Sequence, residues 1–157
     1  MDWKTLNVNS WNEEVELRSL KKSFIDSGVL IWAARGDNEL SEKAIQILDD
    51  PDREYASSIF VKLEVFPKAV YNKMQEEVEF YKAFFDAATH WVGASEEITN
   101  EALKYAETFG LGAMDALHYA AAISVGAEEF ITTEKPSMPI HRVTNIKVIT
   151  LYPGSSS

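Results

Sequence analysis

Residues 23–36 read S-F-I-D-S-G-V-L-I-W-A-A-R-G and join a short strand directly to a helix. The apolar run at 23–25 is typical of a buried strand, and Asp-Ser-Gly at 26–28 is typical of a turn. Residues 29–34 are almost entirely apolar and predict a helix that stops near Gly36. A strand that passes at once into a helix is the unit from which parallel sheets are built.

The rest of the chain continues the same alternation of short strands and helices. Further strands are predicted at 54–57, 89–92, 130–133 and 146–151. Further helices are predicted at 39–50, from 59 to a bend or an end at Pro67, and at 74–88, 96–109 and 113–125. The last helix is apolar on every side, so it should be the buried one. This order predicts an α/β fold, a three-layer α/β/α sandwich with a small parallel sheet.

The length of 157 residues predicts a single domain. Residues 1–22 are polar and are interpreted as an N-terminal extension. Ser10 and Glu13 form a capping box in this extension and predict a short helix near Trp11. The domain is predicted to span 23–151, and 152–157 are predicted to be a disordered tail.

Composition and charge exclude several classes of protein. The chain has no cysteine, which excludes disulfides, thiolate metal sites and cysteine nucleophiles. Its net charge of −10 argues against a protein that simply coats nucleic acid, although no acid follows Glu134. No apolar stretch approaches the ~18 residues of a membrane span, and no signal segment is visible. We therefore expect a cytoplasmic protein with no membrane partner.

The common catalytic motifs are missing. There is no phosphate-binding loop, and the Gly-x-Gly at 110–112 follows a helix, where a dinucleotide site would require a strand. The A-I-S-V-G at 122–126 resembles a nucleophile elbow but lies at a helix end. The histidines are not spaced as zinc ligands. His118 lies three residues after Asp115 and could share a metal ion with it, although a packed, hydrogen-bonded histidine is the commoner case.

Four of the twenty-five acids stand out because apolar residues surround them or because they end a strand. Asp26 ends the first strand, and Glu134 ends the fourth. Asp115 lies near the start of the most apolar helix. Glu64 lies between Leu63 and Val65. Each has a structural explanation: an N-cap for Asp26, an ion pair with Lys68 for Glu64, the helix dipole for Asp115, and a loop position beside Lys135 for Glu134.

Taken together, the four acids favour a metal site. Asp26, Asp115 and Glu134 are expected at the same edge of the sheet, and Glu64 can project toward it. Converging carboxylates repel one another unless a cation joins them, and Mg²⁺ or Mn²⁺ prefers oxygen ligands. Such a site predicts metal-assisted hydrolysis of a phosphodiester, in which no side chain needs to act as the nucleophile.

Four segments, taken in order, resemble the PIN domain family: F-I-D-S-G-V-L-I at 24–31, S-S-I-F-V-K-L-E-V-F-P-K at 57–68, G-A-M-D-A-L-H-Y-A-A-A at 112–122 and F-I-T-T-E-K-P at 130–136. The likeness spans roughly residues 22–151. It implies an α/β/α sandwich and a Mg²⁺- or Mn²⁺-dependent ribonuclease, including toxins of the VapC type. It places Asp26, Glu64 and Asp115 on three of the family's metal-binding acids.

The resemblance also identifies candidate substrate-binding residues. Ser27 matches the small hydroxyl residue after the first acid, and Thr133 matches the hydroxyl residue before the last. A basic rim that follows an RNA backbone could include Lys62, Lys68, Lys135, Arg142 and Lys147, which could equally be ordinary surface residues.

This sequence departs from the family pattern at several positions. Glu134 stands where the family usually has Asp. A further acid found in some members is replaced in this chain by His118 or Tyr119.

Two functions from different classes remain open. The first is an endoribonuclease, with or without a role as a toxin, whose partners are an RNA substrate, an antitoxin that inserts a basic residue into the acidic site, and a second copy of the chain in a homodimer. The alternative is a catalytically weak PIN-like binding or assembly module, which Glu134 and the N-terminal extension favour. A receiver-like or nucleotide-binding domain is a third and weaker interpretation, because the lysine or glycine-rich loop that it requires is missing.

Overall fold

The computed structural model describes residues 20–154, so the helix predicted near Trp11 and the last three residues of the predicted tail lie outside it. The elements are β1 (Lys21–Ile25), α1 (Ser27–Arg35), α2 (Glu39–Leu48), β2 (Arg53–Ser58), α3 (Ile59–Tyr71), α4 (Gln75–Ala87), β3 (His90–Val92), α5 (Glu96–Phe109), α6 (Ala113–Ser124), β4 (Glu129–Thr132), a 3-10 turn (Pro139–Arg142) and β5 (Lys147–Thr150). Within residues 20–154, no helix is both long and apolar enough to cross a membrane.

The five strands form one parallel sheet in the order β3-β2-β1-β4-β5. Phe24 and Ile25 are neighbours on β1 and therefore point to opposite faces of the sheet, yet both are fully buried. Helices must therefore cover both faces, and the predicted α/β sandwich is confirmed. The strand order reverses at β1, which has β2 on one side and β4 on the other. Parallel sheets place their ligand sites at such a switch point, beyond the carboxyl ends of the strands.

Helix α6 is the buried helix that the sequence predicts. Ala120, Ala121 and Ala122 are at most 2% exposed, and their small side chains let α6 pack closely in the core. Tyr119 on the same helix lies with its ring centroid 4.7 Å from that of Tyr105 on α5, edge to face. This packing fixes the position of the first turn of α6, which carries Asp115.

One predicted helix boundary is settled in part by the structure. The sequence predicts that the helix starting at 59 bends or ends at Pro67, and α3 does not end there but continues to Tyr71. Pro67 lies on the exposed side of α3, and because it has no N–H, the carbonyl of Leu63 lacks its helical hydrogen bond. Leu63 is 60% exposed, so water can reach this carbonyl. The proline therefore costs less than it would in a buried turn. The other boundaries agree within two residues.

Candidate active site

Asp26 lies between β1 and α1 and is 6% exposed. It is the N-cap of α1, because its Oδ1 accepts a hydrogen bond from the Ser27 N–H at 2.9 Å. Its Oδ2 accepts a second one from the Thr132 hydroxyl at 2.7 Å, across the β1–β4 switch point. Burial is the main reason why the pKa of Asp26 is raised. Asp26 is therefore an N-cap, as one explanation from the sequence held. The same hydrogen bonds also fix its carboxylate at the predicted edge of the sheet.

Glu64 reaches the same edge from the second turn of α3. Its Oε1 lies 2.6 Å from His118 Nε2 and accepts a hydrogen bond from the Ser27 hydroxyl at 2.5 Å. The bond with His118 is the largest cause of the lowered pKa of Glu64, and it outweighs partial burial, which acts to raise the pKa. Lys68, the partner considered from the sequence, makes the smallest of the contributions to this lowered pKa.

Asp115 connects the four acids electrostatically. Its pKa is raised to about 6, first by burial and then by the charges of Asp26 and Glu134, with a smaller effect from Glu64. Asp26, Glu64, Asp115 and Glu134 therefore lie close enough to repel one another, and we call them the acidic cluster.

Glu134 follows β4, and its backbone is held at three points. Its N–H donates to the Thr132 hydroxyl at 3.1 Å, and its carbonyl oxygen lies 2.6 Å from Thr150 Oγ1 and 3.1 Å from His141 Nε2. The Thr150 hydroxyl donates to this carbonyl. These contacts fix the backbone of Glu134, from which its carboxylate side chain extends.

The sequence does not single out Thr132. It highlights Thr133, but the buried Thr132 is the residue that hydrogen bonds to Asp26. Thr133 instead lies against α1, where a Cβ on Gly28 would come within 2.2 Å of its Oγ1. The two neighbouring threonines look alike in the sequence, and only the conformation of the chain at the end of β4 decides which one faces Asp26.

Three of the five predicted basic residues make contacts within the protein. The Lys135 ammonium lies 5.7 Å from the centroid of the Tyr152 ring. Arg142 donates from Nη1 to the carbonyl of Phe109 at 3.1 Å, at the end of α5. The Lys62 ammonium lies over the rings of Phe66 and Phe85. These contacts stabilise the fold without a substrate, so a role in RNA binding stays a prediction.

The acidic cluster suits a hard divalent cation by its chemistry. Its donors are carboxylate oxygens, and the repulsion that raises the pKa of Asp115 is what a cation would relieve. The cluster is not yet arranged around one ion, because within residues 20–154 no three His, Asp or Glu side chains are placed to hold a metal together.

Comparisons with known proteins show the family and the fold of the chain. A family model described as the PIN domain matches residues 23–135. No curated protein sequence matches the chain at a significant level.

Solved structures from several bacteria share the fold. A toxin–antitoxin complex from Klebsiella pneumoniae is 23% identical over 83% of this chain and 98% of that chain, with a TM-score of 0.63. VapBC2 from Rickettsia felis, bound to a promoter DNA fragment, is 16% identical over 82% of this chain and 98% of that chain, with a TM-score of 0.62. The VapC20 toxin of Mycobacterium tuberculosis, described as cleaving the sarcin–ricin loop, is 11% identical over 69% of this chain and 86% of that chain, with a TM-score of 0.57.

Proposed function

Because the chain belongs to the PIN domain family, we propose that it is a divalent-metal-dependent endoribonuclease that hydrolyses RNA phosphodiester bonds as the toxin of a toxin–antitoxin pair. The observation that carries the proposal is the acidic cluster, in which the charges of Asp26, Glu64 and Glu134 all raise the pKa of Asp115. Such repulsion is a cost to the fold unless a cation is part of the working site.

The side chains of the acidic cluster would hold Mg²⁺ or Mn²⁺. The bound ion supplies Lewis acidity, which makes water a better nucleophile and offsets charge on the phosphate. The Ser27 N–H and the Thr132 hydroxyl hold the Asp26 carboxylate in one orientation. In the hydrolysis, the oxygen of water bonds to phosphorus as the P–O bond to the leaving oxygen breaks, a proton of the water ends on that leaving oxygen, and no protein side chain becomes covalently attached.

The charge of the chain supports a requirement for the cation. With a net charge of −10 and an acidic site, the protein repels a phosphate backbone unless the site is first neutralised. Ser27, Thr133, Lys135 and Arg142 are the candidate contacts to the RNA.

The structural relatives support the biological role. Two of them are toxin–antitoxin complexes, and a third is described as a toxin that cleaves the sarcin–ricin loop. We propose a cytoplasmic homodimer whose antitoxin inserts an Arg or Lys side chain into the acidic cluster, where it would occupy the place of the cation.

The test is cleavage of a labelled pool of single-stranded RNAs with Mg²⁺ or Mn²⁺. Asp26→Asn and Asp115→Asn should each lose roughly 100-fold or more, since removing even a supporting residue of a metal site costs 10–100-fold. Asp86→Asn is the matched control, because Asp86 is an exposed acid on α4, and it should cleave like the wild type. Cleavage that survives both substitutions would show that the site assignment is wrong.

A binding or assembly module with weak catalysis is the second candidate. Glu134 favours it, because its extra methylene moves the carboxylate relative to the aspartate that is usual in the family. A folded wild type that binds the metal but cleaves none of several RNAs would select this candidate.

A further inference from the structure

His118 is a buried histidine that contacts two members of the acidic cluster, Glu64 and Asp26. It is on the second turn of α6 and is 1% exposed. Its Nε2 lies 2.6 Å from Glu64 Oε1, 3.5 Å from Ser27 Oγ and 4.0 Å from Asp26 Oδ1. Residues from α1, α3 and the end of β1 therefore meet at this one nitrogen.

The other ring nitrogen of His118 is buried and has no hydrogen-bond partner among residues 20–154. A carboxylate can only accept, so the proton of the ring must be on Nε2, where it is donated to Glu64. The bare Nδ1 is a cost to folding that an apolar side chain of similar size would avoid. Breaking a packing rule in this way is characteristic of functional sites, where a gain elsewhere offsets the cost.

Glu64 is held at the acidic cluster by residues of other helices. Its side chain is 37% exposed and has three rotatable bonds. Two bonds to Oε1 hold it, one from Ser27 on α1 and one from His118 on α6. Oε2 takes no part in either bond.

We propose that His118 is a positioning residue, whose Nε2–H fixes Glu64 through Oε1 so that Oε2 serves the divalent cation. This rests on the proposed metal-dependent function. Donors that hold a ligating carboxylate in this way set metal affinity, and losing one costs roughly 10–100-fold. His118 does not itself bind the ion, because Nε2 faces Glu64 and Nδ1 is enclosed in the core.

The test is Mn²⁺ affinity by calorimetry, measured beside metal-free stability in urea. His118→Leu should weaken Mn²⁺ binding by roughly 10–100-fold while the metal-free protein stays at least as stable, because leucine removes the unpartnered nitrogen. His118→Gln keeps an N–H donor and should retain most of the affinity. His90→Leu is the matched control, since it removes a histidine–glutamate contact, with Glu54, at the opposite edge of the sheet.

A double-variant cycle shows whether His118 acts through Glu64. In a Glu64→Ala background, His118→Leu should change Mn²⁺ affinity less than about 2-fold, because the group that it positions is gone. A full effect in that background would overturn the inference, as would a His118→Leu variant that loses stability and affinity together. If His118→Leu does not fold, the Mn²⁺ affinity of His118→Gln decides. A His118→Gln variant that loses as much Mn²⁺ affinity as Glu64→Ala would contradict the inference.

The outcomes separate this inference from the proposed function. A wild type whose binding of Mn²⁺ is not weakened by Asp115→Asn would overturn the metal site, and with it the role of His118. A wild type that binds at the acidic cluster, with His118→Leu binding equally well, would leave the proposed function intact and overturn only the positioning role.

Discussion

At the scale of single residues, Asp115 is the most informative group in the protein. It lies in the first turn of α6, where the helix dipole favours a negative charge, yet its pKa is raised to about 6. Burial and the neighbouring carboxylates therefore outweigh the dipole. The side chain has been placed where ionisation is unfavourable, and a bound cation would reverse that penalty.

Asp115→Asn should stabilise the metal-free protein at pH 7. The pKa rises from 3.8 in the unfolded chain to about 6 in the folded protein, so the folded state binds the proton more tightly between these values. Stability is therefore lost as pH rises through this range. A tenfold change in the acid dissociation constant corresponds to about 1.4 kcal/mol, and partial solvent screening reduces the gain in the variant to the order of 1 kcal/mol.

Urea unfolding between pH 4 and 7.5 in a chelator measures this effect. The difference between wild type and Asp115→Asn should grow as pH rises from about 4 to about 6 and then level off. Asp86→Asn should show no such trend. A variant that is less stable than the wild type at pH 7 would contradict the interpretation of Asp115 as a repelled charge.

At the scale of elements, the site depends on how closely α1 approaches the end of β4. Gly28 lies in the first turn of α1, and a Cβ at this position would come within 2.2 Å of the Thr133 hydroxyl oxygen. The missing side chain lets the first turn of α1, which follows Asp26, lie against the strand that leads to Glu134. Glycine in a helix costs about 0.5–1 kcal/mol relative to alanine, so this close approach is made at the expense of helix propensity.

Gly28→Ala should destabilise the protein although alanine is the better helix former. Overpacking costs about 1–3 kcal/mol, which exceeds the gain in propensity. We also expect weaker Mn²⁺ binding, since Asp26 directly precedes α1 and Glu134 follows β4. Gly93→Ala is the control, because a Cβ there has nothing within 4 Å. Thermal melts and calorimetry of both variants test this, and equal stability of the two would refute it.

At the scale of the whole molecule, the fold concentrates negative charge that it does not neutralise. The net charge is −10, and the switch point of the sheet gathers acids from the ends of β1 and β4 and from α3 and α6. Dissolved salt screens the repulsion that arises from the net charge of the whole molecule. Only a bound cation relieves the repulsion among the acids at the switch point.

Mg²⁺ should raise the melting temperature more than NaCl of equal ionic strength. A ligand at ten times its Kd adds about 1.4 kcal/mol, or about 3–6 °C for a domain of this size. The excess over NaCl should disappear in Asp26→Asn and persist in Asp86→Asn. Equal effects of the two salts on the wild type would argue against a specific cation site.

Local patterns in the sequence predict most of the architecture. Short apolar runs, helical repeats and capping residues are local features, so the elements and their parallel arrangement follow from them, as does membership of the PIN domain family. Asp26 and Asp115 stand out for a similar reason, because acids next to apolar segments are visible in the sequence. The sequence leaves open whether α3 bends or ends at Pro67, because the cost of the proline depends on which side of the helix meets water.

Contacts between distant residues were decided only by the tertiary structure. Thr132 and Asp26 are 106 residues apart, and His118 and Glu64 are 54 apart. The register between β1 and β4 and the packing of α6 against α3 bring these pairs together, and neither is encoded in a local pattern. The sequence alone therefore determines the fold and points to the acids of the proposed site, whereas the partners that orient those acids arise from how the elements pack.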